Sequence, residues 1–288
     1  MSKVSAKGSS ASARPPRAQG GRLGASAARI ALLVLGCSSS KPAAEGETTP
    51  PANDASTPSM DAGTSGPAPT PGTWCAGQTA LLCDDFDTPA RSEASWVADD
   101  GLVLSSAITS IAASSPPNAF FAKTAAISGP TAERSQIKRS SAGPDALEVN
   151  ADVTFAVRIG ALGTSTRTEI ARVEGVNPID FANHSVALLV SPSGASVEVA
   201  SGPSTKVTPL STAPRAKAWS HVAMHLVLER TVTGPATSVT IRIDDGAAES
   251  IAVERGMGVR PFLRLGLAVT GPADACEVAY DDVTYDAR

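Results

Sequence analysis

The chain of 288 residues carries 24 lysines and arginines against 28 aspartates and glutamates, a formal net charge of −4 at pH 7. Outside the first 36 residues, which hold six of those bases, the balance is more acidic still and leaves no basic stripe able to neutralise a phosphate backbone, so nucleic acid is not an expected partner. Aromatic residues are only 4% of the chain and argue against a wide platform of exposed rings, whereas 42% apolar residues are enough for one sizeable core.

Positive charge is concentrated at the N-terminus, where Lys3, Lys7, Arg14, Arg17, Arg22 and Arg29 all precede the first acidic residue, Glu45. The apolar run from Ile30 to Leu35 follows, and it is far shorter than the ~20 residues that span a bilayer. A basic start, a short apolar stretch and a small residue before the cut define an export signal. Leu33-Val34-Leu35-Gly36-Cys37 resembles a bacterial lipobox. The resemblance implies that residues 1–36 are a signal peptide, that Cys37 is acylated, and that a lipid anchor holds the chain in the bacterial cell envelope, at the outer membrane or cell surface.

Residues 37–73 are built from Pro, Ser, Thr, Ala and Gly with almost no large apolar side chain, so burial cannot offset the entropy of ordering them. They predict a disordered tether, with an r.m.s. reach of roughly 35 Å if fully flexible. Beyond Cys37, the cysteines Cys75, Cys83 and Cys276 are an odd number for an oxidising compartment. Their spacing favours a local Cys75 and Cys83 disulfide, and a Cys83 and Cys276 bridge is the alternative if the first and last strands are neighbours.

From Trp74 onward the pattern changes to short runs of period-two alternation broken by Gly, Pro, Asn and Ser. Val153, Phe155, Val157 and Ile159 point one way while Asp152, Thr154 and Arg158 point the other. Val186, Leu188 and Val190 repeat the pattern, as do Val197 with Val199, and Val239, Ile241 and Ile243, which precede an Asp245-Gly246 hairpin signal. Leu263, Leu265, Leu267 and Val269 form another such face. The expected fold is all-β, a two-sheet antiparallel jelly-roll sandwich over residues 74–288.

Several stretches together resemble the laminin-G-like branch of the concanavalin A-like lectin and glucanase jelly rolls. Cys83-Asp84-Asp85-Phe86-Asp87 with Trp96 looks like the opening strand, and Trp219-Ser220-His221-Val222-Ala223 like a central one. Arg242-Ile243-Asp244-Asp245-Gly246 looks like the family's hairpin, and Leu263-Arg264-Leu265-Gly266 with Tyr280-Asp281-Asp282-Val283-Thr284-Tyr285 like its closing strands. The resemblance implies that the last strand lies beside the first. It also implies a structural calcium held by Asp85, Asp87 and Asp282 through oxygen ligands, which calcium prefers. Simple solvation of strand ends by these acids is the competing reading.

Signals for catalysis are incomplete. Glycosidases need two carboxylates flanking the scissile bond, and the one-strand acidic triplet that supplies them in this fold is missing. Arg167-Thr168-Glu169-Ile170-Ala171-Arg172 is similar to an alginate lyase motif, but the extra Ala171 predicts that Arg172 turns to the strand face opposite Glu169. Ser135-Gln136-Ile137-Lys138 carries lysine where those lyases carry histidine, and an eliminating enzyme needs a base as well as a charge-neutralising group. His221 and His225 are expected to face away from Val222, Met224, Leu226 and Leu228 as two exposed, ligand-facing imidazoles with no third metal ligand in reach. The sequence therefore predicts no catalytic residues. It predicts a sandwich presented for polysaccharide or glycoprotein binding, with a lyase or glycosidase of the same fold and a ligand-free structural envelope protein as the alternatives.

Overall fold

The computed structural model describes residues 74–98, 102–110, 113–141, 150–163, 167–176, 183–228, 238–253 and 259–288. The expected signal peptide, Cys37 and the tether 37–73 lie outside the described residues. A 3-10 turn, Cys75–Gly77, leads into β1 (Leu82–Asp84), α1 (Pro89–Ser95), β2 (Val97–Ala98), α2 (Leu104–Ala107), β3 (Ile108–Thr109), β4 (Ala119–Thr124) and β5 (Ala132–Ser140). The longer strands follow: β6 (Asn150–Ala161), β7 (Thr168–Val176), β8 (Asn183–Ser191), β9 (Gly194–Ser201), β10 (Ser204–Pro209) and β11 (Trp219–Val227). The chain closes with β12 (Ser238–Ile243), β13 (Glu249–Ala252), β14 (Val259–Thr270) and β15 (Cys276–Ala287).

These strands form the expected antiparallel jelly-roll sandwich. An eight-stranded sheet runs β13-β12-β11-β6-β15-β4-β3, with β1 also pairing β15, and a seven-stranded sheet runs β10-β9-β8-β7-β14-β5-β2. Neighbours distant in sequence lie side by side, and the first strand joins the last in the register Leu82 to Tyr285 and Cys83 to Thr284. The alternation read from sequence decides which side chains meet between the layers. Val153, Phe155 and Val157 of β6, Val222, Met224 and Leu226 of β11, and Leu263, Leu265 and Leu267 of β14 are all buried in one core.

An aromatic file crosses this core. Trp96, Phe86, Phe120, Tyr280 and Phe155 follow one another with ring centroids 6.4, 5.8, 5.8 and 6.0 Å apart. Such pairs contribute about 0.5–1.5 kcal/mol each beyond the area they bury. The buried Trp96 indole donates from Nε1 to Asp84 Oδ2 at 2.8 Å, while Ser92 Oγ and the Phe86 amide donate to Asp84 Oδ1. Burial raises the Asp84 carboxyl above its ordinary pKa even with those three donors aimed at it. Trp219 lies on the outward side of β11, half-buried. Cys75 and Cys83 are disulfide-bonded, and Cys276 is a buried free thiol whose Sγ donates to Leu162 O at 3.1 Å.

Candidate functional site

The outer face of the seven-stranded sheet gathers most of the polar chemistry. β5 turns Arg134, Gln136 and Lys138 outward, β14 turns Arg264 outward, β7 contributes Glu169, Arg172 and Glu174, and β9 contributes Glu198. Two adjoining depressions of about 270 and 200 Å³ lie here and share Arg134, Glu169, Arg172 and Ala268.

Arg172 does not turn away from Glu169. The β7 register shifts between Glu169 and Ala171, so the extra residue is absorbed as a bulge at Ile170 and both charged side chains emerge on one face. The expected flip assumed unbroken period-two alternation, which the bulge interrupts. β14 carries a matching irregularity between Leu265 and Ala268. Gly266 sits there at φ +126°, and a Cβ on it would lie 2.1 Å from Ser135 O. Glycine is required at that point because the backbone conformation and the close approach both exclude a side chain. The two irregularities leave carbonyls facing the core, and the buried Tyr280 hydroxyl, reaching across from the eight-stranded sheet, donates to Ile170 O at 2.6 Å and Gly266 O at 3.1 Å.

On the surface that results, Glu169 is almost fully engaged. Gln136 Nε2 donates to its Oε1 at 3.0 Å, and Arg172 donates to its Oε2 from Nε at 2.9 Å and from Nη2 at 2.5 Å. Arg172 Nη1 also donates to Ser185 Oγ at 2.6 Å, and Glu198 pairs with both Arg167 and Arg172. Burial works against the Arg172 charge, but the hydrogen bond and charge of Glu169 and the charge of Glu174 outweigh it and hold the guanidinium above its ordinary pKa. Arg264 pairs with Glu174 at 3.4 Å. Arg134 and Lys138 form neither hydrogen bond nor ion pair among the described residues, and both stand beside this network.

His221 and His225 emerge on the outer face of the other sheet and are exposed, with His225 Nδ1 2.6 Å from Asp152 Oδ1. Of the acids expected to hold calcium, Asp85 Oδ1 accepts from the Asp87 amide, Asp87 Oδ1 from the Asn118 amide, and Asp282 Oδ1 from Ser115 Oγ at 2.5 Å. Asp85 Oδ2 is buried without a hydrogen-bond partner. Among the described residues no three His, Cys, Asp or Glu side chains converge as a metal-ligand set. Next to Asp282, Asp281 is buried beneath the Ser114 and Ser115 amides, which donate to its Oδ2 at 2.8 and 2.9 Å. Burial first and the charge of Asp282 second raise Asp281 to about 7, against the lowering effect of those amides.

No protein-family model matches this chain, and no curated protein matches it. Among solved structures it is similar to an alginate lyase from Chlorella virus, with 8% identity, a TM-score of 0.47, and coverage of 73% of this chain and 100% of that one. It is also similar to the CBM2 module of an evolved Dit protein from Lactobacillus casei BL23 phage J-1 (11%, 0.47, 72% and 94%). A cellulose induced protein gives 12% identity, a TM-score of 0.44, and coverage of 71% and 96%.

Proposed function

We propose that this chain is a lipid-anchored envelope protein whose sandwich holds an acidic polysaccharide on the outer face of the seven-stranded sheet without turning it over. One observation carries the reading: Arg134 and Lys138 are unpaired cations beside the otherwise neutralised Gln136, Glu169 and Arg172 network. A guanidinium with free donors binds a carboxylate or sulfate in a planar, two-pronged manner, and charge-assisted hydrogen bonds are about twice as strong as neutral ones.

The placement of acid and base groups favours binding over elimination. The chain has three histidines, and they are accounted for: His184 is buried at the start of β8, and His221 and His225 belong to the other sheet. Its two tyrosines are buried, with hydroxyls committed to backbone carbonyls. Neither an imidazole nor a phenol lines the depressions, and the Glu169 oxygens already accept from Gln136 and Arg172.

Calorimetric titration of the purified chain with polyuronate oligosaccharides tests the reading. Saturable, salt-sensitive binding is expected, with Arg134→Ala weakening it about tenfold. Absence of binding, or an Arg134→Ala variant that binds like the parent, overturns it. The convergence of Gln136, Glu169 and Arg172 favours a second reading, a polyuronate lyase. It predicts growth of ultraviolet absorbance from unsaturated uronate ends during incubation, and a flat trace with binding intact removes it. The anchor is tested separately: fatty-acid labelling is expected in the native protein and lost in Cys37→Ala, and equal labelling removes the lipoprotein reading.

A further inference from the structure

The eight-stranded sheet carries a second surface depression that the acidic-polysaccharide reading does not use. Ala223 of β11 forms its floor, paired in register with Thr154 of β6 on one side and Arg242 of β12 on the other. A small side chain between two longer ones leaves a trough, and depressions of about 200 and 220 Å³ adjoin there, both lined by Thr154, Ala223 and Arg242. His221 and His225 mark its two ends, roughly 13 Å apart at the rise of an extended strand.

At the His221 end the wall is Trp74, which the sheet does not itself supply. Trp74 directly precedes Cys75, whose disulfide fixes it to Cys83 on β1. Cys83 lies opposite Thr284 of β15, and the Thr284 hydroxyl shares a 2.5 Å hydrogen bond with the hydroxyl of Thr154 at the trough. A covalent link and a strand pairing therefore tie this indole to the surface. Trp74 is only half-buried, and the side chains of Trp74, His221 and Arg242 form no hydrogen bond or ion pair among the described residues. Asp244 and Asp282 bring acceptor oxygens to the same depression. Asp244 Oδ1 takes the His221 amide at 2.7 Å, and Asp244 Oδ2 lies 3.3 Å from Arg215 Nε.

We infer that this trough is a second ligand site, and that it takes an uncharged saccharide stacked on Trp74. An indole face suits the apolar face of a sugar ring. Sugar hydroxyls donate and accept at once, which matches free donors on Arg242 and His221 set among carboxylate acceptors. Asp244 and Asp152 are paired with Arg215 and Arg288, and Asp282 balances the charge of Arg242, so the trough offers an anionic chain no excess positive charge, unlike the arginine-rich face. The inference does not depend on the acidic-polysaccharide reading, because the two sites share no residue.

The test is titration of the full chain with a panel of cello-, xylo-, manno- and laminari-oligosaccharides, followed by tryptophan fluorescence and calorimetry. Saturable binding with a change in tryptophan emission is expected for at least one member. Trp74→Ala and Arg242→Ala are each expected to weaken it about tenfold, as loss of one stacked ring or one charge-assisted contact implies. Arg134→Ala is expected to leave it unchanged, and reduction of the Cys75 and Cys83 disulfide to weaken it as Trp74→Ala does. Arg242→Ala removes an exposed strand side chain and serves as the control if Trp74→Ala unfolds. No binding across the panel, or full affinity in both variants, overturns the inference.

Discussion

The two outer faces of the sandwich are built from the same kind of strand and reach opposite results. On the eight-stranded sheet, β11 pairs β6 and β12 in unbroken register, so a small residue and two histidines at regular spacing come to one outer face. On the seven-stranded sheet, both central strands break register, and it is the break that puts Glu169 and Arg172 on one surface. Regular alternation is a local property of a strand. A bulge must be supported from elsewhere, here by a glycine without a Cβ and by a tyrosine from the opposite sheet.

That difference can be broken at its supports, starting with the most severe change. Gly266→Ala forces a Cβ against Ser135 O and strains a positive φ, so a loss on the order of 4 kcal/mol is expected in urea denaturation. A variant that unfolds at the parental midpoint would falsify the claim that the β14 irregularity requires glycine.

The pH dependence of stability sharpens the comparison from the other face. Asp281 is raised to about 7 in the folded chain and has an ordinary value of 3.8. Between those values Asp281 binds more proton in the folded state than in the unfolded one, so the stability it contributes is full below about pH 4 and falls as pH rises towards 7. The steepest slope expected from this one group is about 1.4 kcal/mol per pH unit. Thermal unfolding across that window is expected to show the decline in the parent and a shallower one in Asp281→Asn, since Asp84 is also raised by burial. Identical slopes in the two proteins remove Asp281 as the cause.

Tyr280→Phe is the most selective change. It keeps the ring in the aromatic file and removes only the hydroxyl that serves Ile170 O and Gly266 O, for a cost of about 1–3 kcal/mol. Polyuronate affinity is expected to fall with it, while neutral-saccharide affinity at Trp74 is retained. Equal losses at both faces would mean that the hydroxyl supports the sandwich in general and not the bulged surface in particular.

Much of the fold was legible in the residues because burial enforces period two. Val222, Met224 and Leu226 went inward and His221 and His225 outward as their alternation required. The string from Arg167 to Arg172 was visible too, yet it pointed the wrong way. Its reading depended on one extra residue whose accommodation is decided by β14 and β15, about 95 and 110 positions further along the chain, according to the partners of Ile170. Gly266 within an apolar alternation was the available warning, since a mid-strand glycine commonly marks a bulge or a close backbone approach.

By itself the sequence determined the class of fold, the inward face of the long strands and the outward placement of His221 and His225. These follow from alternation and composition, which act between near neighbours. Only the tertiary structure decided that Glu169 and Arg172 share a face, that Gln136 meets them, and that Trp74 is tied beside Thr154 and Arg242. Each of those results needs strands distant in sequence to pair in one register, and register is fixed by the whole core.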